Sequence, residues 1–290
     1  MHDVDVLMIG NFAKDRIIVD GIEEETSGGG VYFGSVVIKR LGHSIAIVTR
    51  LHPSDFHRLD ELRNEGVEVY AMQADDTSGI ANYYQSNDME RRLCKPIGFG
   101  GKYSLADIPD LKAKIIMVSP LFAGEIDLEI LQSLALRAPL ALDVQGFVRA
   151  PMGNRLDFQY WDDLPAGLAN VTYLKLDRAE AEHLTKFADL GKAANLLSEM
   201  GPKEIVLTES KGVSVFAGEK MTFAPFHSRS LAGRTGRGDT CFSTYIAKRL
   251  DVCPEIACRW AGAVTSLKQE KPGPWKGSAV EIERIISAVT

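Results

Sequence analysis

The feature that most constrains this chain is an alternation of short apolar runs with stretches whose apolar residues recur at helical spacing. Residues 4–9 form an apolar run ending at Gly10, as a buried strand does. Past the glycines at 28–30, residues 31–41 read as a helix closed by Gly42. A strand at 45–48 follows, then Phe56, Leu59 and Leu62 at helical spacing up to Gly66, then a strand at 67–70. The pattern resumes with strands at 115–118, 140–142, 171–174 and 205–207, separated by helices at 128–136, 178–184 and 190–200. Residues 213–216 and 221–223 flank the turn 217–220 as a β-hairpin, and the chain from Gly238 onward is mostly helical, with final helices at 256–267 and 280–289. Such alternation predicts an α/β fold: a three-layer, doubly wound, mainly parallel sheet flanked by helices.

Two pieces break the alternation. Residues 16–20, and the pair 80–84 and 92–95 joined by a turn at 86–91, read as short strands with polar partners. They predict a small β lid over a pocket, drawn from about residues 11–27 and 77–97, on one domain spanning residues 1–290. Free strand edges in such a lid invite pairing with a second copy of the chain.

Composition narrows the function. Lys+Arg 33 against Asp+Glu 39 gives a net charge of -6 with no basic run, which disfavours nucleic acid and favours a small-molecule partner. The cysteines, Cys94, Cys241, Cys253 and Cys258, form no CxxC pair and lie far in sequence from the six histidines, so they predict free thiols rather than a zinc site or disulfide framework. Residues 1–9 lack the basic start and long apolar stretch of a signal peptide, and the early apolar run falls far short of the ~20 residues of a membrane span. The expectation is a cytoplasmic protein with no membrane partner.

Chemistry concentrates in Thr235-Gly236-Arg237-Gly238-Asp239, which leads into a helix keeping Phe242, Tyr245, Ile246 and Leu250 on one face. Glycines before a helix let backbone N–H groups approach an anion at the positive end of the helix dipole. An acid there repels phosphate, yet makes sense if Asp239 accepts a proton from a hydroxyl attacking that phosphate. Locally, Asp239 reads equally well as a helix cap.

In combination with other segments the sequence resembles the ribokinase-like (PfkB) carbohydrate kinase family. That family's C-terminal signature, Asp-Thr-Thr-Gly-Ala-Gly-Asp, stands here as Gly233-Arg234-Thr235-Gly236-Arg237-Gly238-Asp239. Its N-terminal signature, a Gly-Gly pair opening a helix that ends in Leu-Gly, is matched by Gly28-Gly29-Gly30 running to Arg40-Leu41-Gly42. Asp177-Arg178-Ala179-Glu180 resembles the family's Asn-x-x-Glu, and residues 206–213 its nucleotide-binding strand and turn. The segments 143–149 and 233–239 look most like the myo-inositol kinase branch. The resemblance implies an ATP- and Mg²⁺-dependent kinase acting on a hydroxyl of a small sugar or polyol, with myo-inositol or a related cyclitol as the leading acceptor and a nucleoside or another sugar as the alternative. By position it implies Asp239 as catalytic base and the amides of Gly236, Arg237 and Gly238 as anion hole. Asp15, Gly28, Gly29 and Gly30 would serve the acceptor, Thr208 and Gly212 the nucleotide, and Glu180 the Mg²⁺ through water. Apart from the resemblance, Asp143 and Arg149 follow the strand at 140–142, at the end where α/β sheets bind ligands, and are expected to serve the acceptor; Lys175 ends the next strand and Arg234 carries a forked guanidinium, so both are expected at the phosphates of the nucleotide.

Departures from the family pattern are informative. Phe33 stands where an Asn is usual, Asp177 replaces the Asn of Asn-x-x-Glu, and Arg237 replaces Ala. Gly233 replaces the Asp that the family ties to a monovalent cation, which puts potassium dependence in doubt. Simpler readings stand beside these: surface salt bridges for Arg234 and Arg237, a turn cap for Asp15, and local pairing for Asp143 and Arg149. Gly28–Gly30 follow no buried strand, and no Gly-x-x-x-x-Gly-Lys-Ser/Thr occurs, so Rossmann and P-loop readings fall away. A catalytically silent sugar-binding protein on the same fold is the alternative of another class.

Overall fold

The computed structural model describes residues 3–289, apart from the side chains of residues 90–92, 288 and 289. In chain order, β1 (Val4–Ile9) leads to the hairpin β2 (Ala13–Val19) and β3 (Ile22–Gly28), then α1 (Gly30–Arg40) and β4 (Ile45–Leu51). A 3-10 segment (Pro53–Leu59) runs into α2 (Asp60–Asn64), followed by β5 (Glu68–Gln73), the hairpin β6 (Gly79–Gln85) and β7 (Asp88–Gly98), β8 (Ala113–Val118), α3 (Leu128–Ala135) and β9 (Leu140–Asp143). Then come α4 (Gln145–Val148), the hairpin β10 (Arg149–Met152) and β11 (Arg155–Phe158), α5 (Leu164–Leu168), β12 (Tyr173–Asp177), α6 (Arg178–Thr185) and α7 (Leu190–Ser198). The chain ends with β13 (Glu204–Glu209), β14 (Gly212–Ala217), β15 (Lys220–Pro225), α8 (Arg237–Arg249), α9 (Pro254–Gln269) and α10 (Ala279–Val289).

The main sheet has nine strands in the order β15-β14-β13-β12-β9-β8-β1-β4-β5. Its strands from β13 to β5 pair parallel, and β14 and β15 add an antiparallel edge. Side-chain alternation sends Val6 and Met8 of β1 to one core and Leu7 and Ile9 to the other; β4 divides likewise, with Ile45 and Ile47 against Ala46 and Val48. The first core takes in α1, α8 and α9, including Val36, Phe242, Tyr245 and Trp260; the second takes in α3, α6 and α7. This is the three-layer, doubly wound architecture that the alternation predicts. Among the described residues no helix is long and apolar enough to cross a membrane.

A separate four-stranded sheet, β3-β2-β6-β7, is built from the two segments outside the alternation. Sequence reading misses β3, because Glu23, Glu24 and Glu25 lie exposed on it and carry no apolar alternation. The turn expected over 86–91 is shorter: β6 ends at Gln85 and β7 starts at Asp88, with the Ser86 N–H tied to Asp20 Oδ1 at 3.0 Å. The strand expected over 171–174 is shifted to Tyr173–Asp177, since the Val171 N–H is used by Leu168 O at 2.9 Å in the turn closing α5. The β10–β11 hairpin is unexpected, its strands being four residues each and interrupted by Pro151.

Candidate active site

The C-terminal ends of the parallel strands converge on one cavity, the place where doubly wound sheets present ligand sites. Ser119 follows β8, Asp143 ends β9, Lys175 and Asp177 close β12, and Thr208 lies near the end of β13. Gly29 and Gly30 enter from the start of α1, and residues 234–239 from the start of α8. Asp15, Ile80 and Asn82 of the four-stranded sheet, the one expected to act as a lid, line the same space.

The start of α8 is shaped by close approach. Gly236 caps the helix at φ 84°, a left-handed conformation, and a Cβ there would stand 2.5 Å from the Phe33 ring, so only glycine fits. A Cβ on Gly30 would lie 2.7 Å from the Ser119 side chain and 3.3 Å from Asp239 Oδ1, so that glycine keeps open the space in front of the carboxylate. Asp239 sits in the first helical turn, half-buried, where amide groups lack intrahelical partners. Of the three amides assigned to an anion hole, that of Arg237 donates instead to Arg234 O at 3.1 Å, which tightens the loop.

Directly beside Gly238 is Lys175, only 4% exposed, whose Nζ would lie 3.2 Å from a Cβ at 238. Its Nζ lies 3.0–3.1 Å from both carboxylate oxygens of Asp143 and 3.9 Å from Glu180. Burial opposes its charge, but the carboxylates of Asp143, Glu180, Asp177 and Asp239 outweigh that and hold the ammonium protonated far above neutrality. Asp143 also accepts the Gln145 N–H at 3.0 Å, which fixes its orientation. Asp177 and Glu180 form a capping box: Asp177 Oδ1 accepts the Glu180 N–H at 2.8 Å, and Glu180 Oε2 accepts the Asp177 N–H at 2.7 Å. Burial, and next the Asp177 carboxylate, push the Glu180 carboxyl upward, opposed by Lys175 and Arg149.

Thus the structure brings Asp15, Gly29, Gly30, Asp143, Lys175, Thr208, Arg234, Gly236, Arg237, Gly238 and Asp239 around one cavity. Gly28 lies just behind, where a Cβ would meet Asp15 Oδ2 at 2.1 Å, while Asp15 Oδ1 accepts the Ile80 N–H of the lid at 2.8 Å. Arg149 does not line the cavity; it bonds Asp177 at 3.2 Å and Glu180 at 3.4 Å and stacks over Phe158 at 4.1 Å. Glu180 is fully enclosed behind Asp177, and Gly212 lies apart, packed by Phe223 and Ala224. Sequence reading misses Ser119, Gln145 and Asn82. The position of Ser119 just past a parallel strand was the available signal, whereas Asn82 is a buried polar residue on an irregular lid strand.

Asp177 places its carboxylate at the cavity wall, a hard donor of the kind Mg²⁺ takes, usually with several retained waters, and Glu180 lies enclosed behind it. Among the described residues no group of three or more His, Cys, Asp and Glu side chains could hold a metal ion.

Residues 23–278 match the pfkB family of carbohydrate kinases. A pyrophosphate-dependent kinase in the ribokinase family, solved as a sulfate complex, is 33% identical over 93% of this chain and 97% of that one, with a TM-score of 0.89. Another structure, of a pyrophosphate-dependent kinase in the ribokinase family complexed with a pyrophosphate analog and myo-inositol, is 32% identical, covers 97% of this chain and 99% of that one, and has a TM-score of 0.88. Arabidopsis thaliana ribokinase complexed with ribose and ATP shares the fold at 18% identity, covering 99% of each chain with a TM-score of 0.78. The cavity, its helix N-terminus and these matches agree: the chain belongs to the pfkB family of carbohydrate kinases and is a sugar or polyol kinase, a phosphotransferase with an alcohol group as acceptor.

Proposed function

We propose that this chain phosphorylates a cyclitol of the myo-inositol class and takes the phosphoryl group from pyrophosphate. The observation that carries the donor is the distribution of charge and wall around the cavity. Lys175, Arg234 and Arg237 line it together with the α8 N-terminus, and among its described lining residues none comes from 209–233. That segment is tied down elsewhere. The Phe226 N–H donates to Lys211 O at 2.8 Å, His227 N–H to Ser266 Oγ at 2.9 Å, and Arg229 N–H to Glu270 Oε1 at 2.9 Å. Three cationic side chains satisfy a small polyanion, whereas a nucleoside would need a further surface beside the phosphates. The two relatives above, at 32–33% identity, are described as pyrophosphate-dependent, one of them with myo-inositol bound.

In this reading the acceptor lies under the lid between Asp15 and Asn82 and presents one hydroxyl to Asp239. Asp239 takes the hydroxyl proton as the oxygen attacks phosphorus, the P–O bond to the leaving phosphate breaks, and the products are a cyclitol phosphate and inorganic phosphate. The Gly236 and Gly238 amides, Lys175 and the two arginines stabilise charge on the transferred group. A bound Mg²⁺ near Asp177 and Glu180 would neutralise part of the donor's charge.

ATP is the second reading, favoured by Thr208, which lines the cavity at the position the family resemblance gives to nucleotide. Purified protein is incubated with Mg²⁺, myo-inositol and either pyrophosphate or ATP, and the phosphate ester is followed by ³¹P NMR. Ester from pyrophosphate at the higher rate supports the proposal. Ester from ATP alone overturns the donor, and ester from other sugars or nucleosides but no cyclitol overturns the acceptor.

A further inference from the structure

Lys268, in the last turn of α9, is 2% exposed and belongs to none of the groups assigned above. Its Nζ donates to two main-chain carbonyls, Gly233 O and Thr235 O, in the loop that becomes the anion hole one residue later. Among the described residues it forms no salt bridge, and its other neighbour is the face of Phe33, 4.9 Å away. The same ring is packed against Gly236. One ammonium and one ring therefore hold the loop from two sides.

The loop is built to meet this group. The Gly233 N–H donates to Gln269 O at 2.8 Å, and a Cβ at Gly233 would stand 1.8 Å from Lys271 O and 2.7 Å from Lys268 O. No side chain fits at 233, so that position cannot supply a carboxylate to the loop. The enclosed Gly233 carbonyl and the partly enclosed Thr235 carbonyl both turn to this one ammonium, and a buried carbonyl left without a donor is costly. Burial draws the Lys268 ammonium down to about 7, and Asp239 acts against that. The two carbonyl acceptors and the ring face favour the charged form as well.

We propose that Lys268 is a positioning residue for phosphoryl transfer, a tethered cation that fixes the 233–235 carbonyls and thereby the amides at 236 and 238 and the Asp239 carboxylate. The loop then needs no exchangeable monovalent cation. Lys268 touches neither substrate nor donor in this scheme and acts through the loop, whichever donor and acceptor the enzyme uses.

The test compares wild type, Lys268→Met and Lys268→Ala by amide hydrogen exchange over residues 231–240 and by turnover. Each is measured in buffers whose monovalent cation is potassium, ammonium or tetramethylammonium. Wild type is expected to be unchanged across the three buffers in both readouts. Lys268→Met is expected to exchange the loop amides faster by about tenfold or more, the loss of at least one charge-assisted bond, while other helices stay protected. Lys268→Ala is expected to recover protection and turnover with potassium or ammonium but not with tetramethylammonium. A loop as protected in Lys268→Met as in wild type overturns the proposal. So does wild-type loop protection or turnover that rises several-fold when potassium replaces tetramethylammonium. The wild-type arm decides even if neither variant folds, and the exchange readout does not depend on the identity of donor or acceptor.

Discussion

Lys175 lies beside the first turn of α8 and Lys268 beside the loop that leads into it; both are buried, and they are held in opposite ways. Lys175 is 4% exposed and surrounded by carboxylates, two oxygens of Asp143 at 3.0–3.1 Å and Glu180 at 3.9 Å. Lys268 is 2% exposed and, among the described residues, is met by two main-chain carbonyls and a ring face, with Asp239 as the acidic influence on it. The first ammonium is raised and permanently charged; the second is drawn down to about 7. The same residue type, equally buried, is thus a fixed counter-charge at one position and a marginal, loop-organising charge at the other. Partner chemistry, more than depth of burial, decides which.

The largest expected effect lies between the two lysines. Asp239→Asn should lower kcat by ~10²–10⁴ while leaving thermal unfolding near that of wild type, because the contribution of a positioned base is lost and the loop is kept. Near-normal initial rates in that variant would take the base role away from Asp239.

The next effect separates the lysines by stability. Lys175→Met strands Asp143 and Glu180 as buried carboxylates without their cation and should cost about 3–5 kcal/mol in urea unfolding. Lys268→Met leaves two carbonyls short of a donor and should cost about 1–3 kcal/mol at neutral pH. Equal losses would erase the contrast.

A pH series sharpens it. The folded-state value for Lys268 lies below the unfolded 10.5, so between about 7 and 10.5 the unfolded chain binds more protons, and this group makes stability rise with pH. Wild type should therefore gain on Lys268→Met across that window, by at most about 1.4 kcal/mol per pH unit. Lys175, with its folded value raised, contributes stability that persists throughout the same range. A flat difference between wild type and Lys268→Met from pH 7 to 9.5 would instead show Lys268 protonated throughout that range and would erase the contrast with Lys175.

The smallest effect concerns the link from lid to loop, where Tyr84 Oη and Thr235 Oγ1 lie 3.2 Å apart. Tyr84→Phe removes that hydroxyl and should lower turnover by about two- to tenfold, the worth of one neutral hydrogen bond. Initial rates at saturating substrates check it.

Much of this was legible in the sequence. The main-sheet strands announce themselves because the parallel strands are buried on both faces, as Val6, Leu7, Met8 and Ile9 show, and period and length then suffice. Asp239 with its glycines was legible because a helix start with glycines and an acid is a local pattern. The acidic strand β3 was not, since its register comes from pairing with β2 rather than from burial. Lys268 was not legible either. It is one lysine in an amphipathic helix, and its partners are main-chain carbonyls, which leave no trace in side-chain identity. The glycine at 233 was visible as a departure, but its meaning depends on Lys271 O lying where a side chain would go.

The contact between Tyr84 and Thr235 joins the four-stranded sheet to the loop before α8, which in the proposed function cover the acceptor and hold the donor. If closing the lid orders the loop, each substrate binds more tightly once the other is present, and thermodynamic reciprocity makes the two enhancements the same factor. A kinase wired this way discriminates against water as acceptor without any residue dedicated to excluding it, because a donor alone meets a loosely ordered loop. Its idle hydrolysis of donor would then be set by how often the lid shuts over an empty seat.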